Sequence, residues 1–155
     1  MTGTQWLLML HIASAFCFFG GSVAVAIMNT LAIRAERPSE TARLLRLIRS
    51  ALPVVMLGVV GTLVFGIWLW HHLGFSIGAG WIWASLALWL LANALGGYGG
   101  RHQEQARELA ERLAADGDTS TDELRALLTD RTGLAISWAA GLATLAILVL
   151  MIWKP

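Results

Sequence analysis

An all-α integral membrane fold, a bundle of four transmembrane helices with both termini outside, is what the sequence predicts, and three observations predict it. The 155 residues are 57% apolar and only 14% charged, with a mean hydropathy of +0.65, too apolar for a water-soluble domain of this size. Charged residues and histidines keep out of the middles of the apolar runs, His11 excepted. The arginines gather in two blocks: Arg34, Arg37, Arg43, Arg46 and Arg49 in the first, and Arg101, Arg107, Arg112, Arg125 and Arg131, among eight acidic residues, in the second.

At about 1.5 Å of rise per residue, crossing about 30 Å of hydrocarbon takes roughly 20 residues. Four such spans fall at about 6–33, 51–73, 79–98 and 132–153 of a single membrane domain covering 1–155, joined on the Arg-bearing side by connections 34–50 and 99–131. Hydrocarbon satisfies no backbone polar group, so each span must be helical.

The first span is long enough to tilt. Ala24-Val25-Ala26 would suit a signal-peptide cleavage site, but no basic segment precedes it, and Arg34 and Arg37 follow. That order predicts a retained anchor, Met1 onward, with its N-terminus outside. Pro38-Ser39-Glu40 then reads as a helix start, and Leu44, Leu45, Leu47 and Ile48 interleaved with Arg43, Arg46 and Arg49 predict a basic amphipathic helix on anionic headgroups, leading into span two. Within span two, Gly58, Gly61 and Gly66 are expected at close-packing positions.

Gly96-Gly97-Tyr98-Gly99-Gly100 predicts the end of the third helix, glycine being the usual cap residue. Beyond it, Glu104, Glu108 and Glu111 mix with Arg107 and Arg112 at helical spacing, and Ser120 with Glu123 reads as a capping box for a further short helix.

Basic loops stay cytoplasmic, so both Arg blocks face inward, while the Gly74–Gly80 turn and Lys154-Pro155 face outward. Indoles collect at membrane interfaces. Trp6, Trp68, Trp70, Trp81, Trp83 and Trp153 fall at the outer ends, Trp138 lies near an inner end, and Trp89 is mid-span.

No CxxC, HExxH, P-loop or GxSxG pattern is present, which leaves soluble-enzyme chemistry without support. Acids and bases nearly balance in the second connection, against a nucleic-acid surface, and lone Cys17 is expected to pack as a small residue. The histidines remain, because an ionisable side chain inside a span is costly. His11 sits about six residues, roughly 9 Å, inside span one. Steps of about 100° place Phe18, Ser22 and Asn29 on its face, flanked by Ser14, and such a polar face should look into the bundle.

His71-His72 closes span two in the same leaflet. The His72 face carries Gly58, Gly61, Phe65 and Trp68, the His71 face Val60, Val64 and Ile67, so His72 is the inward candidate. His102 lies at the opposite membrane edge. Two imidazoles are too few for a closed zinc site, yet they suffice as axial ligands of a porphyrin held in a helical bundle. The candidate haem site has His11 and His72 as metal ligands, with Ser14, Phe18 and Ser22 beside them. The plainer reading has His11 hydrogen-bonding two helices together and His72 meeting interfacial water.

Leu10-His11-Ile12-Ala13-Ser14-Ala15-Phe16-Cys17-Phe18-Phe19-Gly20-Gly21, a His followed nine and ten residues on by Gly-Gly, resembles the first-helix pattern of small four-helix bacterial membrane proteins. These are the DUF2269 family and the broader group of copper-resistance D-type and haem-binding HemJ-type proteins. Gly80-Trp81-Ile82-Trp83-Ala84-Ser85-Leu86-Ala87-Leu88 is likewise similar to DUF2269. The resemblance implies a four-helix bundle in the bacterial cytoplasmic (inner) membrane and, through the haem-binding group, a b-type haem at His11. Where the HemJ-type helix carries an Arg, this chain has Met28, a departure from the pattern of proteins associated with protoporphyrinogen oxidation.

Three functions stay open: a haem protein for electron transfer or redox sensing near the outer leaflet; a non-catalytic subunit or assembly factor, within a homo-oligomer or a larger membrane complex; and a copper or small-solute permease. The third requires a polar path for which Asn29 and Asn93 are the strongly polar residues, and Met1, Met9, Met28, Met56 and Met151 are scattered rather than clustered as soft-metal steps.

Overall fold

The computed structural model describes residues 2–74, 76 and 78–153 and, among these, contains helices and no strand. Met1, Lys154 and Pro155, to which the sequence assigned an outer location, lie outside the described residues. In chain order come α1 (Gly3–Arg34), α2 (Pro38–Leu73), α3 (Gly80–Ala115), α4 (Asp122–Leu128) and α5 (Arg131–Trp153). Four segments are long and apolar enough to cross a membrane: α1, α2, α3 and the Asp122–Trp153 stretch that ends in α5.

The helices outrun the bilayer. At 36 residues each, α2 and α3 are about 54 Å long against about 30 Å of hydrocarbon, so their charged portions project beyond it. The basic segment expected as a separate surface helix is instead the first third of α2, continuous with the span and passing through Pro53. Proline removes one backbone donor there, and the helix is held on both sides of it.

α3 also departs from expectation. The run Gly96–Gly100 is helical, and none of its glycines has a positive φ. Each such glycine costs about 1 kcal/mol relative to alanine, but the helix beyond is anchored. Ala106 and Ala110 are buried, and Arg107 bonds Glu104 and Glu111 at 2.8 Å each. α3 stops later, where Gly117 (φ 100°) and Asp118 (φ 55°) turn left-handed and Asp118 N–H returns 2.9 Å to the Leu113 carbonyl. The cap of α4 is Thr121 rather than Ser120: its hydroxyl accepts from Leu124 N–H at 3.4 Å, so no Ser120–Glu123 capping box forms.

The chain forms two compact units, Met1–Thr30 with Arg46–Ile77, and Leu31–Leu45 with Gly78–Pro155. In the first, α1 turns Leu7, His11, Ser14, Phe18, Gly21, Val25 and Met28 inward, and α2 turns Ile48, Ala51, Val55, Gly58, Thr62, Phe65 and Leu69. Steps of four and three alternate on both helices, the 3.5-residue seam of a left-handed pair. The opposite flanks are bare apolar surface suited to lipid, Phe16 being 79% and Leu57 72% exposed.

In the second unit α3 packs along α5 and touches α4. Small side chains make these approaches, with Ser85, Ala92, Ala106 and Ala110 of α3 and Ala143 of α5 buried. Leu124 of α4 and Ala32, Thr41, Ala42 and Leu45 from the 31–45 stretch are buried in the same unit. Asp118 ties its ends together. The carboxylate accepts from Ser39 N–H at 2.8 Å and Ser39 Oγ at 2.7 Å, so a residue 79 positions away caps the N-terminus of α2, where a negative charge is favoured.

These Ser39 bonds, with Arg37 adding attraction, hold the Asp118 carboxyl below its ordinary pKa. A depressed folded-state pKa stabilises fully above the unfolded value and loses that stabilisation as pH falls through the folded one. Asp118→Asn, which keeps a side chain that tolerates the left-handed φ, should therefore melt below the wild type at neutral pH, and the gap should narrow as pH falls below about 4. Thermal unfolding in detergent across pH measures this, and a gap that persists unchanged into acid would refute it.

Candidate functional site

His11 lies in the α1–α2 seam, half-buried, with Nδ1 3.0 Å from the Thr62 carbonyl oxygen. A carbonyl can only accept, so Nδ1 carries the proton and donates. Among the described residues Nε2 takes no hydrogen bond, and it is not one of the sealed, unpartnered atoms. The imidazole is thus tied at one nitrogen and bare at the other.

Glycines make this geometry accessible. A Cβ on Gly66 would stand 3.0 Å from His11 Cε1 and 3.3 Å from Nδ1, so the ring occupies the notch that Gly66 leaves. One turn on, a Cβ at Gly61 would collide with Ser14 Oγ. At Gly58 it would lie 2.5 Å from the Phe18 nitrogen and 2.9 Å from the Ser14 carbonyl oxygen. Gly21 faces Val55 in the same way. The pairs run antiparallel, and the expected close-packing role of Gly58, Gly61 and Gly66 is what the backbone shows.

Of the residues grouped with His11 by the sequence, Ser14, Phe18 and Ser22 share its half-buried face. Ser22 Oγ donates back to the Phe18 carbonyl at 2.7 Å, and Thr62 Oγ1 to the Gly58 carbonyl at 2.7 Å. These hydroxyls are satisfied within their own helices.

His72 is placed differently. It is exposed in the last turn of α2, six residues past Gly66, or about 9 Å along the axis. The residue continues the Gly58–Phe65 register, but α1 begins at Gly3 and has little length left to cover it. Among the described residues no hydrogen bond or ring contact joins His72 to His11. His102 lies on α3 against Tyr98, ring centroids 5.2 Å apart, with Nδ1 buried and unpartnered. Among the described residues no three His, Cys, Asp or Glu side chains gather as a metal site.

Two participants were not singled out from the sequence as parts of the site. Thr62 acts through its backbone carbonyl, which side-chain chemistry does not advertise. Gly66 was read for packing alone; it lies beside the seam positions Thr62, Phe65 and Leu69, and its contact with His11 shows in the backbone geometry.

A family model of predicted integral membrane proteins, DUF2269, matches residues 5–155. The chain belongs to the DUF2269 family. No curated protein and no solved structure matches it. The DUF2269 match runs through both compact units of an integral membrane protein with four candidate spans among the described residues.

In this DUF2269 chain, Gly58→Ala should cost about 1–3 kcal/mol, because its Cβ meets backbone rather than a movable side chain. Gly20→Ala, with nothing within 4 Å, should stay within about 0.5 kcal/mol. Equal stability of the two variants on titration with SDS in micelles would show that the seam is not close-packed at Gly58.

Proposed function

We propose that this protein binds haem b through His11 and serves electron transfer or redox sensing in the bacterial cytoplasmic membrane, its Arg-bearing ends facing the cytoplasm. The observation that carries the reading is the half-tied imidazole: Nδ1–H on the Thr62 carbonyl and Nε2 bare. Metal-binding histidines characteristically give their other ring N–H to a carbonyl or carboxylate, which fixes the ring and makes the ligating nitrogen more basic. Neutral imidazole is also a common axial ligand of haem iron. The donor fits the group.

Ser14, Phe18 and Ser22 share the His11 face, but Ser14 and Phe18 close against Gly61 and Gly58, so the cofactor would meet His11 at its Nε2 edge. Haem supplies one-electron chemistry when bound; the chain's own part is to hold and orient the imidazole. His11 is the principal ligand in this reading, and exposed His72 at the end of α2 is the candidate for a second. The resemblance of the His11–Gly20-Gly21 segment to haem-binding membrane proteins points the same way.

A second reading rests on the closed seam at Gly58 and Gly61. There α1 and α2 leave no space for a guest, and His11 is already hydrogen-bonded without a metal, as a helix-pairing subunit of a larger membrane complex or a homo-oligomer would require.

Absorption spectra of detergent-purified protein, oxidised and dithionite-reduced, separate the two. A Soret band with reduced α and β bands is expected, absent in His11→Ala and retained in His72→Ala. Folded protein with no Soret band after haem is supplied would leave the subunit reading standing.

A further inference from the structure

We infer that Gly66 and the Thr62 carbonyl together lock His11 in one tautomer and one orientation, making Gly66 a positioning residue for Nε2. The tautomer follows from the seam alone, while its use toward haem rests on the reading above. Three features converge on it. The first is the 3.0 Å approach of Nδ1 to an atom that can only accept. The second is the Gly66 notch, in which a Cβ would press on Cε1 at 3.0 Å and Nδ1 at 3.3 Å, the side of the ring that carries the hydrogen bond. The third is close contact one turn deeper, where Gly61 meets Ser14 and Gly58 meets the Phe18 backbone, so α1 cannot slide along α2 to relieve that pressure.

A free imidazole exchanges its proton between two nitrogens, and each tautomer offers a lone pair on the opposite side. In the seam only one arrangement avoids setting a bare Nδ1 lone pair against a carbonyl lone pair. The hydrogen bond selects the proton's position and the notch selects the ring's. Between them they present Nε2, on the ring edge away from Thr62, to whatever the site takes. A methyl group at residue 66 pushes on the bonded edge, so it should lengthen the Thr62 bond and release both tautomer and orientation.

The test uses the full-length protein labelled with nitrogen-15 at histidine, in detergent and free of haem, with His11 assigned by its loss in His11→Ala. Wild type should show a protonated, pyrrole-type Nδ1 and a bare, pyridine-type Nε2. Gly66→Ala should show averaged or reversed signals, whereas Gly20→Ala, a methyl in open space, should leave the pattern unchanged. In haem-loaded protein Gly66→Ala should weaken haem binding about 10–100-fold, the usual effect of disturbing the partner of a metal ligand. A wild-type His11 protonated on Nε2 or averaging between tautomers overturns the inference whether or not any variant folds, and so does a folded Gly66→Ala with the wild-type pattern. Absence of a Soret band with the expected tautomer would sink the haem reading and leave the locked imidazole standing.

Discussion

Hydrocarbon offers no hydrogen-bond partner, and from that shortage most of this structure follows. Every backbone group within a span must be bonded inside its own helix, which explains why the hydroxyls of Ser22, Thr62, Ser85 and Thr144 return to carbonyls four residues back rather than reaching across. With lipid as apolar as leucine, burial of apolar surface does little to draw helices together, and association relies on close contact between small residues. Hence glycine at 58, 61 and 66 in the first unit, and Ser85, Ala92 and Ala143 in the second. Outside the bilayer the rules change. Arg107 with two glutamates and Asp118 on Ser39 use ionic and capping bonds that water permits.

The same contrast explains which parts of the fold were legible in the sequence. Span positions came directly from uncharged runs flanked by arginine, since a helix must match the thickness of hydrocarbon. Helix ends outside the membrane were harder. Gly96–Gly100 carries strong local stop signals, yet Ala106, Ala110 and the Arg107 pairs beyond it hold the helix on course. Tertiary burial overrode local preference there, and nothing local to the glycines announces it. Pro53 is the mirror case, a breaker inside α2 flanked by buried Ile48 and Val59.

For the site, periodicity carried the prediction part of the way. Steps of 100° put Ser14, Phe18 and Ser22 with His11, and that grouping is what the α1 face shows. The paired helices, however, keep a 3.5-residue seam, and over the span of one helix the two periods drift apart by about 20° per heptad. More important for His72 was depth. Angular projection says which way a residue faces but not whether a neighbour is still there, and α1 begins too near the level of His72 to cover it. A backbone carbonyl such as that of Thr62 is invisible to any reading of side-chain types.

Whether a satisfied histidine is a ligand or a clasp turns on magnitudes. Interhelical hydrogen bonds within bilayers average only about 0.6 kcal/mol, while an ionisable residue inside a span is costly in a way that a serine or threonine is not. If the seam needed only a donor to Thr62, a hydroxyl or an indole would supply it with no second polar nitrogen to accommodate. The imidazole adds one feature those side chains lack, a lone pair held at a fixed place on the seam's edge. The second nitrogen takes no hydrogen bond among the described residues of the α1–α2 pair. The clasp is what the folded α1–α2 pair itself requires, and the lone pair on Nε2 is what the proposed haem ligation would add to it.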